Sequence, residues 1–143
     1  MWIVQSHRIA GVARNVLRAA HVRNFILVVD DDADIRDAVN DLLVMNGYHV
    51  IAVENGEQAL GALAVAVPAL VLTDVAMPVR DGLQLASLIR ESPRLRTVPI
   101  CFLTAAPSAA LPCGFAAIRK PFDADELLEV VRHRVDPIVC LPK

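Results

Sequence analysis

The sequence predicts one α/β domain, in which a five-stranded parallel sheet is doubly wound with helices on both faces. Five short apolar runs alternate with amphipathic segments, and strands that alternate with helices form parallel sheets with right-handed crossovers. The runs before the acidic residues are continuous rather than alternating, as in strands buried on both faces. A chain of 143 residues with 55% hydrophobic residues can fill one such core.

The first half of the chain predicts three strands and two helices. The strands are Phe25–Val29, Tyr48–Val53 and the apolar run 69–72, which leads into Asp74. Apolar residues at helical spacing over 35–43 predict a helix that ends near Asn46–Gly47. A second helix opens with a cap formed by Asn55 and Gln58, and Pro68 stops it.

The second half predicts two more strands and two more helices. A helix covers about Leu83–Arg90, and strands follow at Val98–Leu103 and Phe115–Ile118. The last helix begins at Asp123, where a cap to Glu126 is expected, and it stops before Pro137. Between the last two strands, two prolines and a glycine predict a shortened or missing fourth helix over 105–114.

Three sequence regions are expected: a basic extension over 1–24, the domain over 25–135, and a short tail over 136–143. The extension holds four arginines and no acid, which leaves 10 basic and 16 acidic residues, a net charge of −6, for 25–143. Its apolar residues recur at helical spacing from Ile9 to Ala20. It is either a basic amphipathic helix that meets a partner or acidic surface, or a poorly ordered extension, and we expect the latter.

Composition excludes several classes of protein. The net charge of −2 argues against direct nucleic-acid binding. The three cysteines have no zinc-site spacing, and Cys101 fits a core position. The longest apolar stretch, 59–72, is interrupted and too short to span a membrane, and no signal peptide is evident. The chain is therefore expected to be cytoplasmic, with no membrane insertion.

Acidic residues follow two of the apolar runs directly. Asp30 and Asp31 come after the first strand, and Asp74 ends the third. Because the carboxyl ends of parallel strands meet at one edge of the sheet, these carboxylates converge if the two strands are neighbours. Clustered carboxylates repel one another unless a cation neutralises them, and oxygen ligands of this kind suit Mg²⁺. Asp74 could instead simply cap the next helix.

Two further strands end in Thr104 and Lys120. A carboxylate nucleophile, a divalent-cation site, a hydroxyl donor and an ammonium group together form a constellation for phosphoryl transfer. Each residue is a weak signal by itself, but the joint placement after four apolar runs is specific.

These motifs resemble the receiver domains of two-component response regulators, a flavodoxin-like (βα)5 family. The resemblance rests on residues 26–32, 72–78 with Asp81–Gly82, 102–105 and 120–122, which occur in the family's order. It implies that Asp74 is the phosphoacceptor and that the phosphoryl donor is a sensor histidine kinase or a phosphotransfer protein. It also implies a downstream protein partner and no true enzymatic turnover.

The resemblance assigns roles to the other residues as well. Asp31 would ligate Mg²⁺ directly, Asp30 would act mainly through water, and the main-chain carbonyl of Ala76 would supply a further ligand. Thr104 would be the switch hydroxyl, and Lys120 would pair with Asp74 and then with the phosphate. The Lys120–Pro121 bond would be cis.

Two departures from the family concern the output surface. The fourth helix is expected to be shortened or missing, and Ala117 stands where the family usually has an aromatic residue. We therefore expect intact phosphorylation chemistry with an altered readout. Signalling could use another face, or the protein could pass phosphate along.

Two alternative functions are weighed against this interpretation. Asp30 with Asp32, Thr104 and Lys120 also resemble the haloacid dehalogenase phosphatases, with Asp30 as the nucleophile. That reading leaves Asp74 and the following Met77–Pro78 unexplained. The second alternative is an interaction module of the same fold that is never phosphorylated.

Overall fold

The computed structural model describes residues 25–77, 81–105 and 115–135. Within these ranges the strands are β1 (Phe25–Val29), β2 (His49–Val53), β3 (Leu70–Asp74), β4 (Ile100–Thr104) and β5 (Ala116–Arg119). The helices are α1 (Ala33–Met45), α2 (Gly56–Val65), α3 (Gly82–Glu91) and α4 (Ala124–Val135). The five strands form one parallel sheet in the order β2-β1-β3-β4-β5, so the predicted fold class is confirmed.

Some predictions concern residues that lie outside the described ranges. These are the extension over 1–24, the tail over 136–143 and, for residues 106–114, the shortened helix between β4 and β5. Among the helices that are described, none is both long enough and apolar enough to cross a membrane.

The sheet separates two hydrophobic cores. Alternate residues of β1 point to opposite faces: Leu27 packs with the buried side of α2 and α3, and Val28 packs with that of α1 and α4. Cys101 belongs to the second core and is fully buried, as predicted. With helices on both faces, the ends of the strands are the edges of the sheet left open for a site.

Helix α1 begins and ends at residues that the sequence marks. The side chain of Asp32 accepts a hydrogen bond from the N–H of Asp34 at 2.9 Å and so caps the first turn. At the other end Gly47 has a φ of 90°, and the N–H of Tyr48 donates to the carbonyl of Leu43 at 3.1 Å. This left-handed glycine closes the helix and turns the chain into β2.

The caps predicted for two other helices are confirmed. The side chain of Asn55 accepts from the N–H of Gln58 at 2.9 Å at the start of α2. The side chain of Asp123 accepts from the N–H of Glu126 at 2.8 Å before α4. These local signals fix where each helix starts, and therefore where the preceding strand ends.

Candidate functional site

Three carboxylates meet at the carboxyl edge of the sheet. Strands β1 and β3 are neighbours, with Val29 aligned with Thr73, so the residues that follow them are brought together. One carboxylate oxygen from each of Asp30, Asp31 and Asp74 lies within 4.8 Å of the others. The structure therefore places the three acidic residues named from the sequence in a single cluster.

The two adjacent acids have different surroundings. Asp30 is fully buried, and its Oδ1 accepts a hydrogen bond from the N–H of Asp32 at 2.9 Å. Its Oδ2 accepts from Nζ of Lys120, also at 2.9 Å. Asp31, one residue later, is exposed. Since both oxygens of Asp30 are already engaged, Asp31 and Asp74 are the carboxylates most available to a ligand.

Lys120 reaches the cluster from the end of β5, which is an edge strand of the sheet. Its N–H donates to the carbonyl of Thr104 at 2.8 Å, which holds the end of β5 against β4. Its Nζ lies 2.9 Å from Oδ2 of Asp30 and 3.3 Å from Oδ2 of Asp74. The Lys120–Pro121 bond is cis, as the resemblance implied. The contact with Asp30 was not foreseen, although two strand-end charges of opposite sign were a signal for it.

The electrostatics of the site follow from this burial and pairing. Burial raises the pKa of Asp74, the charge of Lys120 offsets part of the rise, and the charge of Asp30 adds to it. Burial lowers the pKa of Lys120, but the hydrogen bonds and charges of Asp30 and Asp74 outweigh that effect and raise the pKa overall. The lysine thus stays protonated beside a carboxyl group that holds its proton more tightly than usual.

Thr104 and Ala76 complete the set named from the sequence. Thr104 ends β4 and is 4% exposed, and Leu103 before it is aligned with Asp74. Ala76 is exposed in the segment that follows β3. Both residues therefore border the edge at which the carboxylates gather.

Helix α3 is capped by Asp81. Its side chain accepts from the N–H of Gln84 at 2.8 Å, and the side chain of Gln84 accepts in return from the N–H of Asp81. The alternative in which Asp74 caps the following helix is therefore wrong, because that position is taken. Asp74 keeps its carboxylate for the cluster.

Gly82 contributes to the candidate site in a way that the sequence did not predict. Its N–H donates to the carbonyl of Val75 at 2.8 Å, and a Cβ built on it would lie 2.0 Å from the carbonyl oxygen of Asp74. Only a residue without a side chain lets α3 start this close to the backbone of β3. The Asp–Gly pair thus begins this helix, with Asp81 as its N-cap and Gly82 as its first residue.

The donor set suits a small, hard divalent cation. Two oxygens bound to one Mg²⁺ lie about 3 to 4 Å apart, since each bond is about 2.1 Å long. The 4.8 Å limit among the three carboxylates is close to that spacing. Of the three, Asp31 and Asp74 could ligate such a cation directly, and Asp30, whose oxygens are both engaged, could act through a water molecule.

Comparison with known sequences points to one family. The family model described as response regulator receiver domain matches residues 26–132. A 14.6 kDa protein of Leptolyngbya boryana is 41% identical over 114 residues, which are 76% of this chain and 87% of that protein. Chemotaxis protein CheY of Bacillus subtilis is 34% identical, with 78% and 97% covered. Response regulator protein FleR of Pseudomonas aeruginosa is 38% identical, but the chain spans only 24% of its length.

The solved structures that this chain resembles are also receiver domains and response regulators. The signal receiver domain of a histidine kinase from Syntrophus aciditrophicus has a TM-score of 0.74 and 28% identity, and 84% of this chain and 96% of that one are covered. Response regulator protein TrrA of Thermotoga maritima, crystallised in complex with Mg²⁺–BeF, has a TM-score of 0.69 and 35% identity, with 77% and 97% covered.

Proposed function

This chain belongs to the response regulator receiver domain family, and from that premise we propose that Asp74 is its phosphoacceptor. The donor is the phosphohistidine of a sensor kinase or of a phosphotransfer protein. The observation that carries the proposal is the cluster of Asp30, Asp31 and Asp74 with Lys120 paired to two of its members.

The transfer is a displacement at phosphorus. A carboxylate oxygen of Asp74 forms the new O–P bond while the P–N bond to the donor imidazole breaks, and the electron pair of that bond stays on the imidazole nitrogen. The product is an aspartyl phosphate. Hydrolysis returns the carboxylate and inorganic phosphate. Receiver domains are generally phosphoacceptors rather than enzymes, and we expect at most slow self-catalysed turnover here.

Lys120 and Thr104 support this chemistry. The ammonium group already lies 3.3 Å from Asp74, so it can follow the negative charge from the carboxylate to a phosphoryl oxygen. The Thr104 side chain is buried at the neighbouring strand end, where its hydroxyl can donate to another phosphoryl oxygen. A shift of Thr104 toward the phosphoryl group would carry the modification to the rest of the domain.

A divalent cation is part of the proposal. Mg²⁺ at Asp31, Asp74 and the carbonyl of Ala76, with Asp30 acting through water, would neutralise charge that develops on the phosphoryl oxygens. The three-carboxylate cluster supports this assignment. TrrA, a relative at 35% identity, was crystallised with Mg²⁺–BeF.

The geometry disfavours Asp30 as the nucleophile of a phosphatase. Asp30 is fully buried, and both of its oxygens accept hydrogen bonds. The side chain of Asp74 is 15% exposed, and its pKa is raised, so it is both reachable and more basic. The same features weigh against a module that is never phosphorylated.

Labelling with a small acyl phosphate tests the proposal. Wild-type protein is expected to incorporate phosphate only when Mg²⁺ is present, and Asp74→Asn is expected to incorporate none. Asp81→Asn is the matched control: asparagine caps helices as well as aspartate does, so labelling should persist. Label that remains in Asp74→Asn and disappears in Asp30→Asn would establish the phosphatase alternative. An unlabelled wild type would establish the interaction module.

The output of the domain is expected to differ from the family pattern. Ala117 is exposed on β5, and its methyl group cannot act as the aromatic relay that the family places there. The nearby aromatic residue, Phe115, instead packs edge-on against Phe102, with their ring centroids 5.3 Å apart. Arg90 lies 5.1 Å above the Phe115 ring. Signalling through another face and simple relay of phosphate both remain compatible with this arrangement.

A further inference from the structure

An open apolar groove lies between α1 and the start of α4. Its volume is about 640 Å³, and its walls include Leu42 of α1, Leu127 of α4 and Phe122 before α4. Ala105 and Lys120 also line it, so the groove opens toward the candidate site. An apolar groove of this size beside a polar cleft is suited to an apolar occupant.

Helix α1 carries a second apolar stripe that the fold of the described residues buries only in part: Ile35 and Leu42 are half-buried beside the core. Val39 and Leu43 are the fully buried residues of the helix and pack in the core. The second stripe recurs at intervals of three, four and three residues and consists of Ile35, Ala38, Leu42 and Met45. Ala38 is exposed, and Met45 is 84% exposed. Apolar residues at this spacing form a surface on which a second helix can pack.

The banks of the groove are acidic. Asp34 and Asp41 lie four residues before and three residues after Ala38, so they share its side of α1 and are exposed. Asp123 lies four residues before Leu127 on the opposite bank and is exposed too. A partner for this surface is therefore expected to be apolar on one side and positively charged on its flanks.

The chain itself contains a segment with that chemistry. Residues 1–24 hold four arginines and no acid, and residues 25–143 have a net charge of −6. Apolar residues recur at helical spacing in this segment; they are Ile9, Val12, Ala13, Val16, Leu17 and Ala20. The charge of the segment is thus opposite to that of the rest of the chain.

The length of the segment also matches the length of the stripe on α1. A helix over 9–20 would be about 18 Å long, and the stripe from Ile35 to Met45 is about 15 Å long. Phe25 begins β1 and is aligned with His49, just after the end of α1, so the segment joins the domain near Met45. The four residues 21–24 can reach about 13 Å, which allows the segment to lie beside α1.

We propose that residues 1–24, which the sequence alone favours as a poorly ordered extension, instead dock in this groove as a basic amphipathic helix that runs parallel to α1. Its apolar side covers the stripe from Ile35 to Met45, and its arginines meet the acidic banks.

Trp2 provides a direct test, because it is the only tryptophan of the chain and lies in the segment. In the folded wild-type protein the proposal predicts a Trp2 emission maximum at shorter wavelength than in the denatured protein. Ala38→Lys places a cation in the groove and should shift the emission to longer wavelength. The matched control is Ala64→Lys, an exposed helical alanine on α2 across the sheet, which should leave the emission unchanged.

A second measurement is needed because Trp2 precedes the apolar residues of the segment, and its emission does not report docking if Trp2 itself lies outside the contact with α1. Hydrogen exchange of the amides of α1 should become faster in Arg14→Glu/Arg18→Glu and in Ala38→Lys, and it should stay at the wild-type rate in Ala64→Lys. No change in either measurement for the groove and arginine variants would overturn the proposal. Signals that depend on protein concentration would also overturn it, because they would assign the groove to a second copy of the chain.

Labelling by a small acyl phosphate separates this inference from the proposed function. Arg14→Glu/Arg18→Glu should leave that labelling unchanged. If the protein never becomes labelled but the Trp2 emission shifts as predicted, the docking of the segment is supported and the proposed function is contradicted. If labelling is normal but neither the Trp2 emission nor the hydrogen exchange of α1 responds, the proposed function is supported and the docking is contradicted.

Discussion

Replacing Gly82 by alanine is the sharpest test of how the fold positions Asp74. The new Cβ would lie 2.0 Å from the carbonyl oxygen of Asp74 and 3.1 Å from Cα of Val75. Contacts below 3.0 Å essentially never occur, so the start of α3 and the end of β3 must separate by about 1 Å. The carbonyl of Asp74 also accepts a hydrogen bond from the hydroxyl of Thr73 at 3.0 Å, which limits how it can move.

Two effects of Gly82→Ala follow from that separation. Forcing an extra methyl group into a packed contact costs about 1–3 kcal/mol of unfolding free energy. Misplacing a reacting group by about 1 Å can slow a reaction about 100-fold. We expect both losses, the first in denaturant unfolding and the second in the initial rate of labelling by an acyl phosphate with Mg²⁺ present.

Gly61→Ala is the matched control for this variant. Gly61 lies inside α2, and a Cβ built there meets nothing within 4 Å. Alanine should therefore stabilise the protein by up to about 1 kcal/mol and leave labelling unchanged. Wild-type stability and rate in Gly82→Ala would refute the reasoning. Lower stability with an unchanged rate would mean that α3 absorbs the whole displacement and that Gly82 does not position Asp74.

Four other perturbations probe the site. Lys120→Met should reduce the unfolding free energy by about 3–5 kcal/mol, because fully buried Asp30 loses its ion-pair partner; unchanged denaturant unfolding would contradict this pairing. The folded state raises the pKa of Asp74 above 3.8, so it binds the proton more tightly than the unfolded state does. The unfolding free energy, measured without Mg²⁺, should therefore fall as the pH rises from about 3.8 through the folded-state pKa, and Asp74→Asn should remove that decrease. With free Mg²⁺ at ten times its dissociation constant, wild-type protein should gain about 1.4 kcal/mol, and equal stabilisation of Asp31→Asn would contradict a direct ligand there. Ala76→Gln should lengthen the lifetime of the aspartyl phosphate by hindering water, whereas an unchanged decay of label would count against an open site.

The sequence determined most of the fold because its signals are local. Continuous apolar runs identify strands that water does not reach on either face, and Asn55 and Asp123 mark helix starts through hydrogen bonds to residues three positions away. The site could be predicted for a related reason. Every strand of a parallel sheet ends at the same edge, so acids that follow apolar runs must lie there.

Inner faces of helices were harder to predict than helix positions. Helix α2 is rich in apolar residues around its whole circumference, and its buried positions include Ala59, Ala62 and Leu63. Ala64, which also fits an apolar face, is exposed, and so is Val67, which lies beyond the end of the helix. Periodicity cannot distinguish faces when nearly every residue is apolar, so packing against the sheet decides.

Contacts between side chains that are far apart in the chain depend on how the strands are ordered and packed. Strand order makes β1 and β3 neighbours, and this brings Asp30 within reach of both Asp74 and Lys120, the latter 90 residues away. The different burial of Asp30 and Asp31, and the close approach of Gly82 to Asp74, also arise only when α3 and the strands are packed together. The sequence determines which side chains stand at strand ends because that information is local. The pairing among them depends on sheet order and packing distances, which no single stretch of the chain encodes.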